Sequence, residues 1–467
     1  MSETANNLVT RRIESLLDDN SFVELYASVT SRSTDFNLDA KKTPSDGVVT
    51  GHGLIDGNLV FIYAQDVSVL GGSIGEMHAK KILSVYDMAL KVGAPVIGLL
   101  DSSGVRLQES SDALESIGAI VKKSAEVSGS IPQILGVYGN CGGGLSVLTT
   151  MSDFVFMSKD AKLYLNAADA VDACKNTGDT SSAEFRFSKS GQVDAIGTED
   201  EIAEKIRSLV ALIPGSNLAD GAYDQCTDDL NRAAMDIENK RSDIAAFAAE
   251  ISDSNVFFET KAGFACDMTT GFIKLAGSTI GIVGNNAAKD GERTVLSADG
   301  CDKAADFIRF CDAFEIPVLS VTNTEGYEAT GCAERRLPRA LARMTAAFAE
   351  ADVARINLIA GKAYGSAYLM MNSKALGADL VYAYPDAEYG IMDANLAARI
   401  ISADDASKID ETADEFAERA NGIENAARRG YVDRLINPVD TRKYLIDGFE
   451  MLFTKSDISG SKKHSTR

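Results

Sequence analysis

Three consecutive glycines after a cysteine are the residues of this chain whose spacing most suggests chemistry. The stretch GNCGGGLSVL, residues 139–148, runs straight into an apolar segment. A phosphate cradle would need G-x-x-x-x-G-K-[ST] or G-x-G-x-x-G, and neither spacing occurs here. Cys141 as a nucleophile would need a base beside it. The chain has three histidines, His52, His78 and His464, the last in the polar tail SGSKKHSTR. Cys141 therefore reads as a packing residue. Two readings of the turn stay open on spacing alone. Gly142, Gly143 and Gly144 could let a helix approach a strand, or could let an acceptor oxygen reach backbone N–H groups as in an oxyanion hole.

The elements that must position this turn occur twice. Residues 81–106, KILSVYDMALKVGAPVIGLLDSSGVR, read as a helix, a Gly-Ala-Pro break, a buried strand and a polar loop. Residues 304–328, AADFIRFCDAFEIPVLSVTNTEGYE, repeat that order, with Pro317 facing Pro95 and Gly326 facing Gly104 at an offset of 222 residues. At the same offset IAGKAYGSAYLM matches VYGNCGGGLSVL, so Gly361 faces Gly139. After a slip of four, residues 378–397 parallel residues 152–170. Alternating strands and helices predict an α/β fold with mainly parallel sheets, and ligands in such folds lie at turns following the carboxyl ends of strands. The acidic stretch 213–241 reads as a connector, giving domains over 1–235 and 236–455 and a disordered tail over 456–467.

Composition narrows the function classes. A net charge of −22 argues against general nucleic-acid binding. Seven cysteines without a C-x-x-C spacing read as reduced thiols, so neither a disulfide framework nor a metal site is expected. No signal peptide and no membrane-length apolar run is present, and a cytoplasmic protein is expected. His78 on a helical stretch reads as packed or hydrogen-bonded. Lys80, Lys81, Lys122 and Lys123 read as a solvated helix face.

Several segments resemble one family over nearly the whole length. They are RRIESLLDDNSFVEL, DGVVTGHGLIDGNLVFIYAQDVSVLGGSIGEMHAKKI, GAPVIGLLDSSGVRLQES, GNCGGG, TIGIVGNN, FIRFCDAFEIPVL, GKAYGSAY and RRGYVDRLINPVDTR. The chain resembles the carboxyltransferase subunit of biotin-dependent acyl-CoA carboxylases, built from two tandem crotonase-like domains. The resemblance implies transfer of CO₂ between carboxybiotin on a carrier protein and a short-chain acyl-CoA. In that scheme Gly143 and Gly144 hold the thioester oxygen, with Gly71, Gly72, Ser73, Arg106 and Gly142 on the acyl-CoA side. Ser366 and Ala367 hold the ureido oxygen of biotin, beside Ala363, Tyr364 and Gly365. Arg106 matches a family arginine, readable as a CoA partner or as a structural ion pair. The implied partners are a biotin carboxyl carrier protein, biotin carboxylase or membrane decarboxylase subunits, and further copies of the chain in a dimer-based, hexameric assembly.

Departures from the family pattern leave other readings. Residues 172–197 are shortened and lack the family's Glu-Glu-Leu-Gly-Gly-Ala stretch. NTEGYEATG, residues 323–331, lacks both prolines of the corresponding loop. Ser366 replaces the second glycine of the second turn, and Leu369 stands where propionyl-type enzymes often carry aspartate. The alternatives are a subunit of a sodium-pumping acyl-CoA decarboxylase, or an assembly subunit with a degenerate biotin site. A stand-alone hydratase or isomerase fits poorly with the tandem repeat.

Overall fold

The computed structural model describes residues 8–32, 38, 42–166, 178–219, 221, 223, 225–288 and 293–455. The expected tail 456–467 and the first part of the shortened segment, 172–177, lie outside the described residues. The chain divides into two compact units, Met1–Ala222 and Tyr223–Arg467.

Unit 1 begins with helix α1 (Leu8–Leu16) and strands β1 (Val23–Leu25), β2 (Val48–Ile55) and β3 (Asn58–Gln65). Then come α2 (Glu76–Val92), β4 (Val96–Leu100), α3 (Ser110–Val127), β5 (Gln133–Val137), β6 (Asn140–Gly142) and α4 (Gly144–Met151). It closes with β7 (Phe154–Ser158), β8 (Lys162–Tyr164), α5 (Ala183–Ser188), β9 (Ala195–Gly197) and α6 (Glu199–Val210). The main sheet runs β1-β2-β3-β4-β5-β7-β9, antiparallel as far as β3 and parallel beyond. The β2–β3 hairpin turns on Asp56 and Gly57, both at positive φ, as a two-residue loop requires. Strands β4 and β5 are buried along their whole length, which explains their unbroken apolar runs.

Unit 2 opens with α7 (Ile237–Lys240), α8 (Ile244–Ile251), β10 (Phe258–Thr260), β11 (Met268–Leu275) and β12 (Ser278–Asn285). Next are α9 (Ala298–Ala313), β13 (Val318–Thr324), α10 (Ala333–Glu350), β14 (Arg355–Tyr364), α11 (Gly365–Met370), β15 (Leu380–Ala383) and β16 (Glu388–Gly390). The last elements are α12 (Ala394–Ile401), α13 (Ile409–Phe416), α14 (Ile423–Arg428), β17 (Arg434–Leu435) and α15 (Thr441–Met451). Its sheet, β10-β11-β12-β13-β14-β15-β17, copies the order of unit 1 strand for strand. β14 runs on past its pairing with β15 and pairs with β16, as β6 pairs with β8 in unit 1.

The repeat read from the sequence is thus a repeat of architecture. One local substitution within it has a backbone consequence. Helix α2 ends on Gly93 in the left-handed conformation, whose N–H reaches Ala89 O at 2.8 Å. At the same register after α9 stands Glu315, held at φ 55 without the freedom of glycine. Among the described residues no helix is long and apolar enough to cross a membrane.

Candidate functional site: two glycine-led turns

Each unit ends a buried strand in a short ladder and then turns into a helix. In unit 1, β6 pairs with β8, with Gly142 opposite Tyr164. A Cβ on Gly142 would meet the Tyr164 ring at 2.5 Å, so a larger residue there would have to displace that ring. Gly143 follows at φ 61, ψ −128, a conformation strained for any residue with a Cβ, and opens α4. A Cβ on Gly143 would meet nothing within 4 Å, so the space over the turn is open.

The N–H groups of this turn are not equivalent. The Gly143 N–H already donates to Tyr164 O at 3.0 Å, closing the ladder, and the Ser146 N–H reaches back to Gly143 O at 3.0 Å. Between them lie the N–H groups of Gly144 and Leu145, which have no carbonyl one turn earlier to bond. Of the expected donor pair Gly143 and Gly144, the first therefore has its N–H engaged within the ladder, and Gly144 and Leu145 carry the N–H groups at the head of α4. The internal repeat carried the signal, because an offset of 222 sets Gly144 and Leu145 against Ser366 and Ala367.

Loops from three elements brace the turn. A Cβ on Gly139 would strike the Asp101 carboxylate at 2.0 Å, and Arg12 donates to Asp101 Oδ2 at 3.1 Å. The Asp101 N–H donates to Gln65 Oε1 at 3.1 Å, and the Ser102 N–H to Asn140 O at 2.8 Å. Gly71, Gly72 and Ser73 are knitted to the 101–106 loop. The Ser103 N–H donates to Gly71 O at 2.9 Å and Ser102 Oγ to Gly72 O at 2.7 Å. Gly72 sits at φ 62, where a Cβ would meet Asp101 O at 2.3 Å.

Arg106 lies beneath this pair of loops and not on their surface. Its side chain is 0% exposed and sits between two carboxylates that are also 0% exposed, Asp46 at 2.5 Å and Glu109 at 2.8 Å. Its Nη2 donates to Ser73 O at 2.7 Å. The same carboxylates accept from the first turn of α2, Glu109 Oε2 from the Glu76 N–H and Asp46 Oδ2 from the His78 N–H, both at 2.7 Å. Of the two readings of Arg106, the geometry is the ion pair; it positions the loop and does not face a CoA phosphate. Burial, acting largely, raises the Asp46 carboxyl above the usual carboxylate range despite the arginine.

His78 is buried, with Nδ1 3.0 Å from Asp46 O. Burial first, then the Arg106 charge, pushes its imidazole down to about 3. It is neutral at physiological pH and enclosed, which removes it as a solvent-linked base. Cys141 is buried, and burial pushes its thiol up to about 12, so it is a packing residue. Lys81 departs from expectation: it is buried, not solvated, and its Nζ donates to Ser45 O at 3.0 Å and to Val48 O. Lys80, Lys122 and Lys123 do stand at the surface side, paired with Glu76, Glu126 and Asp87.

Unit 2 builds the same turn with different side chains. Gly365 repeats the positive φ of Gly143, at 60, and a Cβ there would press on Ile391 O at 3.0 Å. Asn323 stands where unit 1 has Asp101, its N–H donating to Asn285 Oδ1 at 2.9 Å and its Oδ1 accepting from the Lys362 N–H at 3.0 Å. A Cβ on Gly361 would meet Asn323 Oδ1 at 2.5 Å, the counterpart of the Gly139 contact. Ala363 and Tyr364 have buried side chains, and the Tyr364 hydroxyl bonds the Glu388 carboxylate, so they form the turn's inner wall. Ser366 is exposed at the head of α11 and Ala367 is buried behind it. Sequence reasoning missed Tyr327, whose hydroxyl donates to Ser366 Oγ at 2.9 Å. Glu328 takes the register position of Arg106, so unit 2 lacks that buried arginine.

Comparison with known proteins shows the family. The carboxyl transferase domain family matches residues 2–466. The propionyl-CoA carboxylase beta chain of Roseobacter denitrificans is 37% identical over 470 residues, covering 97% of this chain and 92% of its own. Methylmalonyl-CoA decarboxylase subunit alpha of Veillonella parvula is 37% identical over 469 residues, covering 97% and 91%. A crystal structure of transcarboxylase 12S, a hexamer assembly with methylmalonyl-coenzyme A and methylmalonic acid bound, superposes with a TM-score of 0.92 at 34% identity, covering 98% of this chain and 92% of that one.

Proposed function

This chain belongs to the carboxyl transferase domain family, with two crotonase-like units, and we propose that it moves a carboxyl group between biotin on a carrier protein and a propionyl- or methylmalonyl-type CoA thioester. The observation that carries the reading is the paired turn: one register, two units, each with two N–H groups at a helix start behind a glycine at positive φ. Such donors stabilise an oxygen that gains negative charge, and they need no reorganisation when it does. In unit 1 the N–H groups of Gly144 and Leu145 hold the thioester oxygen as the α-carbon becomes an enolate. The open space over Gly143 admits the acyl group, and the Arg106 network fixes the loop beside it.

The second turn suits a neutral urea carbonyl. Its donor set is the N–H groups of Ser366 and Ala367, with the Ser366 hydroxyl, bonded by Tyr327, beside them. Biotin, when bound, supplies the carboxyl group and the nitrogen that carries it. The chain's own residues bind, orient and exclude water. The chain assembles with further copies of itself, a reading supported by the hexamer assembly of transcarboxylase 12S, and receives its carboxyl group from a biotin carrier.

A second reading, as the carboxyltransferase subunit of an acyl-CoA decarboxylase, is favoured by the identity with the Veillonella subunit. Both readings use the same turns, and one assay tests them. The purified chain, given methylmalonyl-CoA and free biotin, is expected to release CO₂ in a biotin-dependent manner. Binding of methylmalonyl-CoA without biotin-dependent turnover would favour an assembly subunit, and no binding at all would defeat both readings.

A further inference from the structure

The two turns share a backbone but differ in one chemical respect. Where unit 1 has Val105 and Gly144, the same register positions of unit 2 carry Tyr327 and Ser366. Their side chains meet: the Tyr327 hydroxyl donates to Ser366 Oγ at 2.9 Å. Tyr327 comes from the loop after β13 and Ser366 from the first turn of α11, so the bond ties loop to turn.

The loop is well anchored for such a role. The Glu325 N–H donates to Thr294 O at 2.7 Å, the Leu296 N–H to Gly326 O at 3.0 Å and the Glu328 N–H to Leu296 O at 3.1 Å. Tyr327 is half-buried on this frame, and burial raises its phenol, so it stays a proton donor at neutral pH. A serine hydroxyl has one proton and two lone pairs. With one lone pair taken by Tyr327, the Ser366 proton is left to donate, and the residue is exposed. Consecutive hydroxyl bonds also polarise one another, which strengthens the outer donor.

We propose that Ser366 Oγ–H, held by the Tyr327 hydroxyl, is a third donor to the carbonyl oxygen received by the second turn, making Ser366 a ligand-contacting residue and Tyr327 its positioning residue. The assignment rests on the carboxyltransfer reading and deepens it. The hydroxyls make and break no covalent bond; they set how tightly a ureido oxygen is held on this side of the chain.

The test is calorimetric titration of the full-length protein with biocytin, repeated with methylmalonyl-CoA. Ser366→Ala and Ser366→Gly are expected to weaken biocytin about three- to tenfold, the range of one net hydrogen bond. Ser366→Thr keeps the hydroxyl and is expected to stay within about twofold. Tyr327→Phe leaves the serine unoriented and is expected to cost about two- to threefold in the wild type and nothing further in Ser366→Ala. Methylmalonyl-CoA affinity and the thermal midpoint are expected to be unchanged throughout. Wild-type affinity in Ser366→Ala, or an equal Tyr327→Phe effect in both backgrounds, overturns the assignment alone. Failure of the wild type to bind biocytin while it binds methylmalonyl-CoA overturns the carboxyltransfer reading and this assignment with it.

Discussion

Replacing Gly144 with proline removes one N–H group and little else. Gly144 is the first residue of α4, where the N–H has no intrahelical acceptor and where the fixed φ of proline suits the helix. Gly143 before it lies at φ 61, ψ −128, outside the helical region that proline disfavours in its predecessor. A Cβ at 144 would meet one atom, Ile117 Cγ2 at 3.1 Å, a methyl group that can shift by a few tenths of an ångström. The fold is therefore expected to lose no more than about 1 kcal/mol. The reaction is expected to lose far more, because one missing oxyanion donor costs about 2.7–4 kcal/mol, or roughly 10²–10³ in kcat. Gly144→Ala supplies the control, since it meets the same Ile117 and keeps the N–H; its kcat is expected within about threefold of wild type. The assay is biotin-dependent decarboxylation of methylmalonyl-CoA with kcat and KM resolved, alongside thermal unfolding. Two results would refute the reasoning. A folded Gly144→Pro protein within tenfold of wild-type kcat would mean that this N–H is not a donor to the reacting oxygen. Equal damage from alanine and proline would mean that the turn needs space and not the hydrogen bond.

Three further outcomes follow from the supporting structure. Arg106→Met strands two carboxylates that are both 0% exposed, and urea unfolding is expected to show a loss of about 3–5 kcal/mol. Without the arginine the Asp46 carboxyl rises further, so the folded variant holds a proton that the unfolded chain has lost. Its deficit should shrink as pH falls from 7 toward 5, and a gap independent of pH contradicts the assignment. The buried His78 imidazole, held at about 3 against an ordinary 6.5, binds its proton later than the unfolded chain does. Its contribution to stability is complete above about pH 6.5 and is lost as pH falls toward 3, so urea midpoints of His78→Gln should vary less with pH over that window. Glu315→Gly relieves a left-handed residue after α9 and is expected to stabilise unit 2 by about 0.5–1 kcal/mol, read as a higher thermal midpoint.

The fold was legible because the chain states it twice. Pro95 and Pro317, Gly104 and Gly326, and Gly139 and Gly361 keep one offset, and every element between them recurs in the structure. What could not be read was long-range. The Gly143 N–H is spent on Tyr164, in a strand twenty-one residues on, and only the β6–β8 ladder reveals it. Arg106 meets Asp46 across 60 residues of sequence, so its burial has no local signature. Lys81 looks like its neighbour Lys80 in the sequence, yet one faces carbonyls inside and the other solvent.

Beneath the second turn the repeat breaks in a way that bears on its function. At positions where unit 1 has Gly98, Leu100 and Leu135, unit 2 has Ser320, Thr322 and Asn357, all fully buried. Thr322 Oγ1 donates to Asn357 Oδ1 at 2.9 Å and lies 3.4 Å from Met371 O, while Asn372 Nδ2 donates to Ser320 Oγ at 3.1 Å. Asn357 Nδ2 and Asn372 Oδ1 have no hydrogen-bond partner among the described residues. Burying such groups costs stability that an apolar core would not, so the cluster calls for a reason beyond packing. Its position supplies one. Met371 and Asn372 directly follow α11, whose six residues are too few to hold their own orientation. The longer α4 of unit 1 buries Leu145 and Leu148 in the core and also accepts from Gln192 Nε2 at Ser146 O and Thr149 Oγ1, both at 3.0 Å. Hydrogen bonds to the end of α11 are directional, and they fix the rotation of a helix whose first turn carries Ser366 and Ala367. The two units thus hold the same backbone device from different places, unit 1 through Gln192 on the body of α4 and unit 2 through a buried polar cluster beneath the end of α11.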